Sequence, residues 1–507
     1  KKLMCYRLDS GFEFFFHFAI IILLYNFSYY IGLNGEDVEW TVYLFFIPVI
    51  IFSIFIPIPA ILGYISFFIT IYVFYKLDIM ISPLFLLGAF IIGLFTQFSS
   101  YKFIISVFSF HVASKLLFWD NSVHSYLGWH QNSIVVFFAS IIILSLYFTN
   151  NLRIQKLDYL LPKWFTILLY LGCGALFFYE AFRTFALQGN QWKTAMHHWQ
   201  CYVGVVEMIR QKGVLLWDTP SQYGFLNMLL CVFLPVKSSW QSVYIVVCGL
   251  LWISSFLLFH LLFLRKTIVH FLVSFLVSFA SVFLLPGWAL ELLGSNVYPS
   301  TGAIRFFPVL CLLLTVYLIT VKWPDINVFK KVLAVSLIWI LAFLWSSESA
   351  FYSSVSLTAF LATEIIFFNR NLLKGLKIIV IPFFIFTTAI VSIYFYYKIN
   401  YNFLPDWYCF TEHAFGFKHG FAAMEIDIKG ACWVLILIFS VLYIYAKENV
   451  KQKRTLQLII CSIATLWGIS SYFIGRSHDN NILNIIFSVV WVLAICFRLK
   501  GEEIFSK

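Results

Sequence analysis

Residues Trp192–Leu226 read WKTAMHHWQCYVGVVEMIRQKGVLLWDTPSQYGFL, a polar passage in a chain that is otherwise almost continuous hydrocarbon. It carries His197, His198, Glu207, Arg210 and Asp218 and closes on a Tyr223-Gly224 turn. Of the 507 residues around and including it, 62% are hydrophobic and only 11% charged, and the mean hydropathy is +0.90. No water-soluble domain of this size could place such a composition on its surface, so the fold class is an all-α polytopic membrane protein. In such a chain a long polar passage is where chemistry is expected, because polar groups in hydrocarbon cost free energy unless they are used.

Working outward, about sixteen stretches are long and apolar enough to cross about 30 Å of hydrocarbon. They fall at 12-32, 41-57, 59-76, 83-99, 101-118, 132-149, 164-186, 240-264, 267-287, 303-321, 332-346, 353-369, 376-398, 431-447, 456-475 and 481-498. Directly after the polar passage, Tyr223 to Pro235 is apolar but too short for a span, and it reads as a re-entrant or interfacial helix near 223-235. The N-terminal KKLMCYR and the apolar run Phe12 to Ile31 resemble a signal peptide in charge. The run is too long and lacks a small-residue cleavage site, so it reads as a retained first span.

The net charge of +11 comes from Lys and Arg in short loops between apolar runs, which is a topology signal and gives no reason to expect nucleic acid. Basic groups such as Lys322/Lys330/Lys331 and Lys447/Lys451/Lys453/Arg454 all fall on one side under this count, which makes that side and both termini cytoplasmic. Loops 187-239 and 399-430 then lie outside, with His124, His130, His197, His198, His413, His419 and His478 on that same side. The basic loop at 150-163 divides a six-helix module, 1-150, from a transmembrane core, 151-507. The 60 Phe are spread over every apolar segment and read as lipid-facing and packing residues. The ten Cys show no CxxC or Cys/His spacing, and Cys201 and Cys409 are the one loop pair that could meet.

Within the opening passage, VGVVEMIRQKG has the apolar spacing of an amphipathic helix capped by Gly213, and WDTPSQYG leads into the half-helix. HHWQCYVGVVEMIRQKG and LLWDTPSQYGFL resemble the first outer loop of the GT-C glycosyltransferases, polytopic enzymes that use polyprenyl-phosphate-linked sugars. The run STGAIRFFP, Ser300 to Pro308, looks like their loop with a small residue, an Arg and an apolar segment. The resemblance covers about 35 residues well and 164-498 in outline, and the first six helices have no counterpart in it. Where the family places an acidic residue after the first helix, this chain has His197 and His198.

What the resemblance implies is transfer of a sugar from a polyprenyl-phosphate donor to a glycan, lipid or protein acceptor on the extracytoplasmic face of a bacterial inner membrane. No cofactor is required, a divalent cation is optional, and no metal site is recognisable. Such a transfer needs a base for the acceptor hydroxyl and cations for the departing phosphate. Asp218, His198 and His197 are the candidate bases, with Glu348 and the Glu36/Asp37 pair behind them. Asp218 in DTPS is also a natural turn former, and the histidines also suit an interfacial aromatic belt. Arg305, Arg476 and His478 are the candidate phosphate ligands; Glu207, Tyr223, Glu348, Asp479 and Asn480 are candidate substrate contacts.

Two other functions fit a chain of this class. A transporter or lipid/glycan flippase predicts charges buried at mid-span, for which Glu364 and Glu180 are the visible candidates. An O-antigen polymerase or ligase predicts its Arg and His on a larger, later outer loop such as 399-430.

Overall fold

A chain this apolar must close its backbone hydrogen bonds within each segment. The computed structural model is accordingly helical, and among the described residues the sole strand-like pairing is an isolated bridge between Leu215 and Thr219. It describes residues 161–412 apart from 185–188, 222, 265, 285–297 and 370–371, and 435–505 apart from 436–437, 440–441, 444, 448 and 476–479. The six-helix module expected over 1-150 lies outside the described residues, as do most of loop 399-430 beyond residue 412 and much of the span expected at 431-447.

The described residues belong to two compact units. The larger holds 161–412, 464–469 and 483–505; the smaller holds the described parts of 423–463 and 470–482. In chain order the helices are α1 (Lys163–Ala181), α2 (Gly189–Arg210), α3 (Leu226–Phe233), α4 (Ser239–Leu262) and α5 (Ile268–Phe279). They continue with α6 (Ala303–Tyr317), α7 (Val328–Trp345), α8 (Ser347–Phe368), α9 (Leu372–Tyr401), α10 (Lys453–Gly475) and α11 (Asn480–Phe505).

Seven of the described helices are long and apolar enough to cross a membrane: Lys163–Ala181, Ser239–Leu262, Ala303–Lys322, Val328–Trp345, Ser347–Phe368, Gly375–Tyr401 and Lys453–Phe473. Shorter apolar helices, His270–Phe283 and Asn484–Cys496, occupy two further expected spans. Their boundaries correct the sequence reading at one place that matters. The outer loop expected between the spans at 332-346 and 353-369 shrinks to Ser346 alone, because that residue ends α7 and its hydroxyl caps α8 by accepting from Ser349 N–H.

In the larger unit α7 packs against α6, α8 and α9, while α4 packs against α1, α2, α5 and α6. The centre of this arrangement is α6, whose Val309, Leu310, Leu312, Leu313 and Val316 are wholly buried. By contrast α9 turns Phe383, Phe384, Phe395 and Ile399 outward, as a helix facing lipid would. Segment 464–469 of α10 lies close on α8: Thr465 bonds the Ser356 hydroxyl, and a Cβ on Gly468 would stand 3.1 Å from the Tyr352 Cα.

Loops expected at one side meet at one end of this unit. Tyr244 at the start of α4 donates to the Phe182 carbonyl beyond α1, and Ser239 bonds Glu207 of α2. Tyr397, near the end of α9, donates to the Leu215 carbonyl, and Asp406 N–H donates to the Leu216 carbonyl. The polar passage is the platform on which these ends gather. It is more helical than its sequence suggests: α2 starts at Gly189, well before VGVV, and takes both histidines into the helix.

The end of α2 is built differently from expectation. Gly213 N–H bonds the Met208 carbonyl and Lys212 N–H the Ile209 carbonyl, the paired bonds of a Schellman turn. The left-handed position is Lys212, with φ 75°, and not Gly213. Gly213 is required by space instead, since a Cβ there would stand 2.3 Å from the Thr219 hydroxyl. The half-helix is confirmed as short: α3 has eight residues, about 12 Å of rise, and cannot cross a bilayer.

Gly224 joins this platform to the bundle. Its φ is +142°, and a Cβ would stand 2.2 Å from the Trp345 carbonyl, which also accepts from Phe225 N–H. Gly224→Ala is expected to cost about 1–3 kcal/mol and lower the unfolding temperature in detergent. Gly172→Ala is the control, because a Cβ there meets nothing within 4 Å. Equal behaviour of the two variants would mean that the turn is not docked on α7.

Candidate functional site

The site begins with a proline. Pro308 lies inside α6 and has no N–H to give to the Ile304 carbonyl four residues earlier. Trp345, the last residue of α7, supplies the missing donor: its indole N–H bonds that carbonyl at 2.6 Å. The hydroxyl of Ser349 bonds the next carbonyl, that of Arg305, at 3.0 Å. Because the backbone carbonyl of Trp345 also takes Phe225 N–H, the starts of α6 and α8, the end of α7 and the Tyr223-Gly224 turn are fastened together.

These contacts place Arg305, third residue of α6, beside Glu348, second residue of α8. Arg305 Nε donates to Glu348 Oε2 and Nη2 to Oε1, a two-point pair, and Nη1 donates to the Ser300 carbonyl at 3.1 Å. The side chains are 4% and 16% exposed, so the guanidinium is buried and the carboxylate nearly so. The N-terminal dipole of α8 favours the carboxylate charge there. The Arg305 guanidinium stands 5.4 Å from the centre of the Tyr223 ring. Tyr223 in turn stacks on Tyr202 of α2, with centroids 5.0 Å apart and planes within 8°.

Ser300, in the short 3-10 turn Pro299–Thr301, serves both halves of the site. Its carbonyl accepts from Arg305 and its hydroxyl shares a short hydrogen bond with His198 Nδ1. Tyr298 sets its ring edge-on to the same imidazole at 5.5 Å. Among the described residues the buried Tyr202 hydroxyl has no hydrogen-bond partner. Burial pushes its pKa well above the ordinary value, with the Tyr223 hydroxyl and Glu348 adding to the effect and Arg305 opposing it.

The sequence-selected residues divide accordingly. His198, Arg305, Glu348 and Tyr223 come together. His197 does not join them, because adjacent residues on a helix point about 100° apart; it is exposed, and its carbonyl accepts from the Cys201 thiol. Asp218 closes its own turn: Oδ1 accepts from Val214 N–H at 2.6 Å and from the Thr219 hydroxyl at 3.1 Å. Glu207 is a fastening between α2 and α4, and bonds from Ser239 and Gln211 hold its carboxyl below the usual range. Arg210 bonds the Lys237 and Leu234 carbonyls beyond α3. Arg476, His478 and Asp479 lie outside the described residues, and Asn480 begins α11. Cys201 and Cys409 are not joined in a disulfide.

Sequence reasoning missed Tyr202 and Trp345, and quoted the run that begins at Ser300 without giving that residue a role. Tyr202 was within reach of it, since it follows His198 by four residues and shares its helix face. Trp345 gave no such signal, and neither did the role of Ser300, because the contacts of Ser300 with His198 and of Trp345 with Ile304 span more than thirty positions. Among the described residues no group of three or more His, Cys, Asp or Glu could hold a metal ion. Comparison with protein-family models, curated proteins and solved structures finds no match.

In chemical terms the cluster offers an imidazole hydrogen-bonded to a hydroxyl, a carboxylate at a helix start, and a buried guanidinium under an aromatic face. If the Arg305–Glu348 pair sustains this arrangement, Arg305→Gln should destabilise the protein by about 3–5 kcal/mol, because it leaves a buried carboxylate unpaired. The double variant Arg305→Gln/Glu348→Gln should recover most of that loss. Thermal unfolding of the purified variants in one detergent measures both, and additive losses would refute the coupling.

Proposed function

We propose that this protein is an integral-membrane glycosyltransferase of GT-C type, which moves a sugar from a polyprenyl-phosphate donor to a glycan, lipid or protein hydroxyl. The observation that carries this reading is the convergence, at one end of the larger unit, of a hydroxyl-linked imidazole with a buried arginine and a carboxylate. Transfer of this kind needs a group to accept the proton of the attacking hydroxyl. It also needs a cation for the phosphate whose bond to the sugar C1 breaks.

His198 is the base in this scheme. The Ser300 hydroxyl holds the ring through Nδ1, and in the tautomer that donates from Nδ1 the basic nitrogen is Nε2. Arg305 is the cation for the leaving phosphate in this scheme, and its fork is held by Glu348 in the structure. Asp218 is the weaker candidate, since its carboxylate is committed to the 214–219 turn.

Charge supports placing this end outside the cytoplasm. The opposite end of the unit carries Lys163, Lys266, Lys322, Lys330, Lys331 and Lys377 in or beside short connections, where the bias is read, although this end carries Arg183, Lys193, Arg210, Lys212, Lys237 and Lys398 in and around its longer ones. By the positive-inside rule that end is cytoplasmic, in this proposal on the inner side of a bacterial inner membrane. The transporter reading fares less well. Glu180 pairs with Arg183 in the last turn of α1, and Glu364 sits near the end of α8, so neither charge lies at mid-span.

The test is transfer from defined polyprenyl-phosphate sugars by purified protein in nanodiscs. His198→Ala should lower the turnover by about 10²–10⁴-fold, the usual contribution of a positioned acid–base group. Asp218→Asn, which keeps the oxygen that the turn uses, should stay within a few-fold of the parent. No transfer by the parent protein, or a larger loss in Asp218→Asn than in His198→Ala, would overturn the assignment.

A further inference from the structure

The feature of this site that the reading above leaves unexplained is that its arginine is already occupied. The fork of Arg305 formed by Nε and Nη2 is filled by both oxygens of Glu348, Nη1 is turned to the Ser300 carbonyl, and one ring face lies over Tyr223. At 4% exposure the guanidinium offers no open surface. An anion from outside can therefore reach the fork only by taking the place of Glu348. The carboxylate is the member able to move, being the more exposed of the two and held in the first turn of a helix behind a single linking residue, Ser346.

We propose that Glu348 is a built-in stand-in for a phosphate, and that a phosphate mono- or diester binds at Arg305 by exchanging with it. This rests on the functional reading above only for the source of the phosphate; the exchange itself concerns binding.

The chemistry of the swap is balanced. A carboxylate and a phosphate oxyanion both present two oxygens at the spacing a guanidinium fork accepts, so the two parallel hydrogen bonds are kept. A phosphodiester brings one negative charge and a monoester up to two, so Arg305 keeps its counter-charge, while the displaced Glu348 carboxylate, the more exposed of the pair, turns toward solvent or takes up a proton. Three further groups surround the seat. The Tyr202 hydroxyl, buried and without a hydrogen-bond partner among the described residues, is close enough for the charges of Arg305 and Glu348 to act on it. Ser349 fixes the Arg305 carbonyl and Trp345 the preceding one, so the backbone that carries the fork stays in place when its occupant changes. A phosphate would thus meet a seat already shaped by a carboxylate, and an alcohol of the same chain would gain nothing from it.

The experiment is binding to the full-length protein in nanodiscs, with farnesyl phosphate, farnesol and inorganic phosphate as the three probes. The parent should prefer farnesyl phosphate to farnesol. Glu348→Gln, which removes the competing charge, should tighten farnesyl phosphate by at least about tenfold while leaving farnesol unchanged. Arg305→Gln should abolish the preference. If Glu348→Gln is too unstable to purify, Glu348→Asp replaces it: the shorter side chain holds the fork less well, so the phosphate should tighten by a smaller factor in a protein that keeps its charge.

Inorganic phosphate competing as well as farnesyl phosphate would assign the seat to free phosphate and support the exchange. Its failure to compete, with the order above preserved, would assign it to a lipid headgroup and also support it. Weaker or unchanged farnesyl phosphate binding in both Glu348 variants would overturn the exchange. Binding in the expected order without any sugar transfer would sink the glycosyltransferase reading and leave the exchange standing; transfer with the order reversed would do the opposite.

Discussion

A guanidinium buried to 4% exposure in an apolar bundle must find its counter-charge and its hydrogen-bond acceptors inside the fold, and Arg305 finds them in Glu348 and the Ser300 carbonyl. That requirement joins elements far apart in the chain. Glu348 can meet Arg305 only if α7 and α8 turn within one residue, and Ser300 can only if the turn before α6 folds back over its first residue. The same turn then presents a hydroxyl to His198. The arrangement of catalytic candidates is thus a consequence of satisfying one buried charge.

Trp345 is what makes the arrangement stiff. A proline in the first turns of α6 leaves a carbonyl without its helical donor, a cost that would normally bend or fray the helix. The indole N–H removes that cost, and the carbonyl of the same residue holds the Gly224-Phe225 backbone. A local defect in one helix is thereby converted into a joint among four segments. The segment from α2 to α3, whose Tyr202, Val206 and Met228 are buried, is tied to α7 by that joint.

Much of this was legible in the residues. Seven strongly apolar segments are helices within a few residues of where composition puts them, because in hydrocarbon a helix is the structure that satisfies its own backbone. The brevity of the run after Tyr223 was enough to exclude a span there. Less legible were the helix ends. Gly213 has the residue type of a left-handed cap, yet Lys212 takes that position and Gly213 serves close packing on Thr219, a contact that no local pattern encodes. Asp218 shows the converse, a residue type suited to catalysis whose turn chemistry consumes its carboxylate.

By itself the sequence determined the class of the molecule, the position of its apolar segments and the passage in which polar chemistry concentrates, since these follow from composition and period alone. Only the tertiary structure decided which polar residues meet. His197 and His198 are adjacent and chemically identical, yet helical geometry directs one outward and the other to Ser300. Arg305 and Glu348 are 43 positions apart and pair because the starts of two helices are pinned side by side. Pairing across such distances depends on where backbone donors and acceptors find each other in three dimensions, and a one-dimensional pattern does not carry that information.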